Sequence, residues 1–165
     1  MRLKFPLFTT VEKKARLEKM LNKDMAQAML KSRNLHLFEK LVEQGNEPML
    51  VANALENTLI ALRRDGTEFN DLEKTMKELF NEYKKGSFVK AAIPDVLKGM
   101  AKGSPASVVL KVFRLQKITG PELEKLVAKE QCNQAIIMQK YRLQVDPAEV
   151  LQLVKKIKSD NPDYR

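Results

Sequence analysis

The chain has 165 residues, 44% of them apolar, and carries 30 Lys and Arg against 21 Asp and Glu, a formal charge of +9. That supplies one medium domain or two small ones, with a core built from Leu, Val, Ile, Ala and eight Met, because there is no Trp and few other aromatics. One Cys excludes an internal disulfide and fits a reducing cytoplasm, one His with one Cys is too little for a metal centre or a Cys–His nucleophile, and every apolar stretch is too short to span a bilayer.

Residues 1–8 read as an extended lead-in, with Pro6 blocking regular structure. Thr10 is placed to cap a helix over 11–21, Asn22 a second over 23–31, and Asn34 a third that runs to Gln44 and closes at Gly45. Pro48 opens a longer helix that stops at Gly66. Its positions Leu50, Val51, Ala54, Leu55, Thr58, Leu59 and Leu62 recur at helical spacing and leave Arg63 and Arg64 at the tip. Asn70 or Asp71 starts a helix through Tyr83, with Leu72, Met76, Leu79 and Phe80 inward. The block 87–101 holds Phe88, Val89, Ala92, Ile93, Val96, Leu97 and Met100, and Pro94 within it must either start a new helix or kink the old one.

Ser104-Pro105 launches a helix over 106–115, and Thr119 with Glu122 spells a capping box. Asp146 with Glu149 is nearly the same device and opens a helix to about Lys158. These last launches belong to a possible duplication: Arg114-Leu115-Gln116 precedes ITGPELEKLV, and 28 residues on Arg142-Leu143-Gln144 precedes VDPAEVLQLV. Gly45, Gly66, Gly86 and Gly103 fall where left-handed caps belong, and Pro48, Pro105, Pro121 and Pro147 at first-turn positions. No segment alternates apolar and polar residues. The expected class is all-α, an array of short helices in two small subdomains, 1–75 and 76–165.

The charge is unevenly spread. Between Lys84 and Lys117 eight basic residues (Lys84, Lys85, Lys90, Lys98, Lys102, Lys111, Arg114 and Lys117) face one acid, Asp95, so this segment alone carries +7. Such a field attracts a polyanion; the alternative is a solvated Lys-rich surface. Lys84-Lys85-Gly86-Ser87, followed by Lys90, reads as a Gly turn feeding a helix N-terminus, which would offer N–H groups to an anion. It lacks the Gly-rich spelling of an ATP phosphate loop. Lys98 with Lys102, and Arg114 with Lys117, can form stripes for an RNA backbone. Arg63 and Arg64 either meet a phosphate or stabilise their helix C-terminus.

His36 reads as a partly exposed packing residue, Cys132 as a small core residue, and Glu122 and Glu124 as solvated. Asn53, Glu56 and Asn57 are candidates for hydrogen bonds to a neighbouring helix. No catalytic or metal-binding set emerges.

The segment from Asn34 to Gly66, NLHLFEKLVEQGNEPMLVANALENTLIALRRDG, resembles the helical region in the C-terminal part of the E subunit of archaeal glutamyl-tRNA(Gln) amidotransferase, and more loosely the related B subunit. The Asp71–Tyr83 stretch and Ala92-Ile93-Pro94-Asp95-Val96-Leu97 follow in the family's order. The resemblance implies a helical domain leading into a tail domain of the YqeY-like kind. It implies a cytoplasmic enzyme that converts Glu-tRNA(Gln) to Gln-tRNA(Gln) with ATP and Mg²⁺, in a catalytic body lying upstream of this portion. Ammonia would come from an asparaginase-like D subunit. This portion would then be a non-catalytic, cofactor-free piece that grips tRNA(Gln) near its D-loop. Its RNA-binding residues would be Arg63, Arg64, Lys84, Lys85, Lys90, Lys98, Lys102, Lys111 and Arg114. The sequence departs from the family in an extra segment over 117–141 and in stopping at Asp160-Asn161-Pro162-Asp163, as a fragment or a truncated tail would. A helical protein-interaction module without RNA affinity is the competing reading.

Overall fold

Several helix starts in this chain are set by short polar side chains. In the computed structural model, which describes residues 9–161 and 163, Thr9 opens α1 (Thr10–Met20) with a complete capping box. Its hydroxyl accepts from the Glu12 N–H, and the Glu12 carboxylate accepts from the Thr9 N–H. The cap is thus one residue earlier than expected. Asn22 caps α2 (Lys23–Lys31) through the Met25 N–H. Asn34 precedes α3 (Leu35–Glu43) but makes no side-chain cap, and its own N–H donates to the Ser32 hydroxyl instead. The lead-in expected over 1–8, and Pro162, lie outside the described residues.

The Pro48-to-Gly66 helix is present, with one modification. It begins as α4 (Pro48–Asn53), widens into a π-helical turn over Ala54–Thr58, and finishes as α5 (Leu59–Arg64). Three polar residues singled out in this helix are hydrogen-bonded. The Asn57 side-chain amide donates to Asn53 Oδ1 at 2.9 Å, and Glu56 accepts from the Ser32 hydroxyl beyond α2. Leu50, Val51, Leu55, Leu59 and Leu62 are buried, as are Leu17, Met29, Phe38 and Leu41 on the preceding helices. The turn between α3 and α4 is held by Asn46, whose buried amide donates to the Leu41 carbonyl at 2.7 Å. His36 is exposed.

The described chain divides into two compact units, one through Thr67 and one from Glu68 on. In the second, Asp71 caps α6 (Leu72–Lys84), accepting from the Lys74 N–H. A 3₁₀ turn (Lys90–Ala92) leads into α7 (Ile93–Met100), with Pro94 in its first turn, so the proline starts a helix. After a turn comes α8 (Ala106–Val112), shorter than expected, and α6, α7 and α8 pack on one another. Ser104 does not cap α8. Pro105 occupies the cap position, and the Ala106 N–H donates to the Glu78 carboxylate of α6 at 2.8 Å, a cap delivered across the helix interface.

The remaining helices are α9 (Gly120–Lys129), α10 (Gln134–Tyr141) and α11 (Pro147–Asp160), which share a cluster of Leu123, Val127, Cys132, Ile137, Val145, Val150 and Val154. The extra segment over 117–141 thus supplies the whole of α9 and α10. Both members of the suspected duplication bury residues one turn apart, Leu123 and Val127 in one, Val150 and Val154 in the other. The capping box expected at Thr119 and Glu122 does not form. Gly120 takes φ 61°, off the helical backbone, and the Thr119 hydroxyl makes no cap bond. Asp146 does cap α11, through the Ala148 N–H. Gly45, Gly66, Gly86 and Gly103 all sit at positive φ just past helix ends. Among the described residues there is no strand, and the fold is all-α. None of their helices is long and apolar enough to cross a membrane.

One contact controls the α7–α8 pair. A Cβ placed on Gly99 would lie 2.4 Å from Val109 Cγ1 and 3.2 Å from the Phe113 ring, so only glycine lets α8 come this close. Both atoms lie on α8 or at its C-terminal cap, and Val109 is buried and cannot swing away. Gly99→Ala is expected to destabilise the protein by about 1–3 kcal/mol through overpacking, despite its better helix propensity. Denaturant unfolding that shows Gly99→Ala as stable as the parent would refute the close approach.

Candidate nucleic-acid interface

Two routes remove a lysine from the surface field, and both operate here. At the end of α6, Lys85 Nζ donates to Glu82 Oε1 at 2.7 Å while the Ser87 hydroxyl donates to Glu82 Oε2 at 2.9 Å. Hydrogen bonding from Lys85, then from Ser87, holds the Glu82 carboxyl below its ordinary pKa. Lys117 is only 17% exposed and bridges to Glu149 in the first turn of α11 at 2.7 Å. Its N–H donates to the Ser87 carbonyl, which joins the α6–α8 and α9–α11 parts of the unit. Lys117 is therefore a structural tie, and the expected Arg114–Lys117 stripe does not exist. The helix ends at Val112, and Arg114 turns into the left-handed region at φ 53°.

The turn Lys84-Lys85-Gly86-Ser87 also differs from its sequence reading. It terminates α6 and leads into non-helical Phe88 and Val89, so it presents the C-terminal end of a helix, where carbonyls and negative dipole face outward. The lysines there complement their own helix, and the turn does not form a phosphate cradle. Among the described residues no three His, Cys, Asp or Glu side chains come together in a set able to hold a metal ion.

What remains is a cationic surface on α7 and α8. Lys90, Lys98, Lys102 and Lys111 are exposed, and no ion pair engages them among the described residues. Ile93, Val96, Leu97 and Met100 bury one side of α7 and leave Pro94, Asp95 and Lys98 on the other. Lys102 follows Lys98 by four residues in the next turn, which continues that side. Lys111 and Arg114 are exposed on α8 and just beyond it. Lys84 is exposed at the end of α6. Arg63 and Arg64 are exposed too, in the last turn of α5, and belong to the other unit.

Sequence reading missed the exposed apolar side chains on α8 and its C-terminal cap. Val108, Val112 and Phe113 are 47%, 68% and 60% exposed. A signal was available: in Val108-Val109-Leu110-Lys111-Val112-Phe113 nearly every position is apolar, more than one face of a short helix can bury.

Set beside known proteins, the chain aligns at 32% identity with the E subunit of the glutamyl-tRNA(Gln) amidotransferase of Pyrobaculum calidifontis, over 83% of this chain and 24% of that protein. The corresponding E subunit of Methanocaldococcus jannaschii is 32% identical and that of Methanococcus vannielii 34%, each over 65% of this chain and 18% of the relative. By sequence this chain is a relative of the amidotransferase E subunit. It spans about a quarter or less of the length of these curated relatives. No family model matches the chain, and no solved structure does.

The Glu82 pair gives a measurable pH effect. Its carboxyl is held below the ordinary value in the folded state, so its contribution is present above the ordinary carboxylate range and fades as pH falls through the lowered pKa. Glu82→Gln should therefore cost about 0.5–1 kcal/mol at neutral pH, the scale of a solvent-screened pair, and almost nothing in acid. Thermal unfolding of both proteins across that range checks this. A difference that does not shrink on acidification would contradict it.

Proposed function

We propose that this chain is an RNA-positioning region of a tRNA-dependent amidotransferase, corresponding to the C-terminal helical and YqeY-like tail part of the E subunit. The observation that carries the reading is the exposed Lys90, Lys98, Lys102 and Lys111 set on α7 and α8, with Asp95 as the only acid between Lys84 and Lys117. Homology to proteins whose name specifies glutamyl-tRNA(Gln) supports tRNA(Gln) as the polyanion. Phosphates would be held by shape and charge, with counterion release supplying much of the affinity. Lys84 and Arg114 would add contacts within the same unit, and Arg63 and Arg64 would be separate contacts of the first unit. Lys85, tied to Glu82, contributes less than its position in the sequence suggests.

In this reading the chain does no chemistry and holds no cofactor. ATP, Mg²⁺ and the amidation step belong to a catalytic body in the whole cytoplasmic enzyme, and ammonia comes from an asparaginase-like D subunit. The region's task is to fix the tRNA while the reaction proceeds elsewhere.

Charge reversal of Lys90, Lys98 and Lys102 together should weaken tRNA binding at least about tenfold and lower the salt slope by about two to three, one per lost phosphate contact. Reversal of Lys85 alone should change little. Filter binding with tRNA at two salt concentrations reads both. Unchanged affinity and slope in the triple variant would refute the assignment and favour a helical protein-interaction module.

A further inference from the structure

The apolar strip on α8 has a position that its own packing does not require. Val112 follows Val109 by three residues and so flanks it on the helix, and Val109 and the Phe113 ring both meet α7 at Gly99. The exposed Val108, Val112 and Phe113 side chains therefore adjoin the α7–α8 seam. Lys102, three residues past Gly99, and Lys98 beside it are exposed on or just past α7, while Lys111 is exposed on the side of α8 away from Val109 and Arg114 beyond its end. Asp95, four residues before Gly99, is the acid at this edge.

An exposed aromatic ring set among cations is matched by a ligand that is itself planar and apolar on its faces but anionic along its length. A single-stranded nucleic acid has that character; a paired duplex does not, because its base faces are already stacked. A second copy of this chain would bring the same cations against themselves. We propose that Phe113 and the adjoining valines receive an unpaired nucleobase of the bound RNA, with the flanking phosphates drawn to Lys98 and Lys102. This rests on the RNA-positioning reading and adds to it a named side chain that stacks on an unpaired base.

The test uses the full chain with two fluorescein-labelled probes, an RNA hairpin with an unpaired loop and a blunt RNA duplex of equal phosphate number. Phe113→Ala should weaken hairpin binding about ten- to a hundredfold, the scale of one lost base stack, and leave duplex binding and the salt slope unchanged. The chain has no Trp, so F113W introduces a lone reporter. The F113W protein should bind the hairpin like the parent, and its emission should be quenched by the hairpin and not by the duplex. If Phe113→Ala unfolds the protein, the quenching decides alone.

Equal binding of both RNAs, with neither variant distinguishing them while the lysine reversals still weaken both, would overturn the stacking site and leave the RNA-positioning reading standing. Failure of the parent to bind either RNA would overturn both. Saturable quenching of F113W by an acidic helical peptide, in that case, would assign the strip to a protein partner.

Discussion

The close approach of α7 and α8 at Gly99 is the contact on which the candidate surface depends. Because residue 99 has no side chain, Val109 can sit where a Cβ would be, and the two helices present adjoining exposed flanks. That contact places the exposed Phe113 ring beside the part of α7 that carries Lys98 and leads into Lys102. The same approach carries the Phe113 ring onto α7 while leaving most of it in solvent. A larger residue would push α8 outward and separate the two flanks.

Around that seam the charge is sorted by geometry. Lys85 and Lys117 stand inside the basic segment yet serve the fold, one by closing α6 onto Glu82, the other by tying the start of α11 to the chain beyond α8. Lys90, Lys98, Lys102 and Lys111 are left exposed. Counting charges along the chain overstates the local field, because pairing takes a share of it. With Asp95 included the remainder is still net positive, which is what polyanion binding requires. Homology to the amidotransferase E subunit, over most of this chain but a small part of the relatives, agrees in direction with that requirement.

Most helices were legible because their causes lie within four residues. Asn22, Asp71 and Asp146 are caps that bond two or three residues ahead, and Pro48 and Pro94 sit in first turns. Where the reading failed, the competing cause was non-local or conformational. Ser104 was passed over because Glu78, 28 residues earlier in the chain, reaches the Ala106 N–H first. Thr119 lost its capping role to the positive φ of Gly120. Gly86 closes α6 as a left-handed cap, as expected, but the helix it was to feed does not follow directly, since periodicity across 87–92 is too short to choose between a helix and a bend.

The amino-acid sequence by itself determined the all-α class, the inward faces of the longer helices, the buried Cys132 and the excess of positive charge between Lys84 and Lys117. Each follows from composition or from spacing along a single helix. Only the tertiary structure decided which of those charges face solvent, that Phe113 and its neighbouring valines stay uncovered, and that Lys117 is part of the scaffold. Those outcomes depend on which helices lie against each other, and partners such as Lys117 and Glu149, 32 residues apart, meet only after packing brings them together.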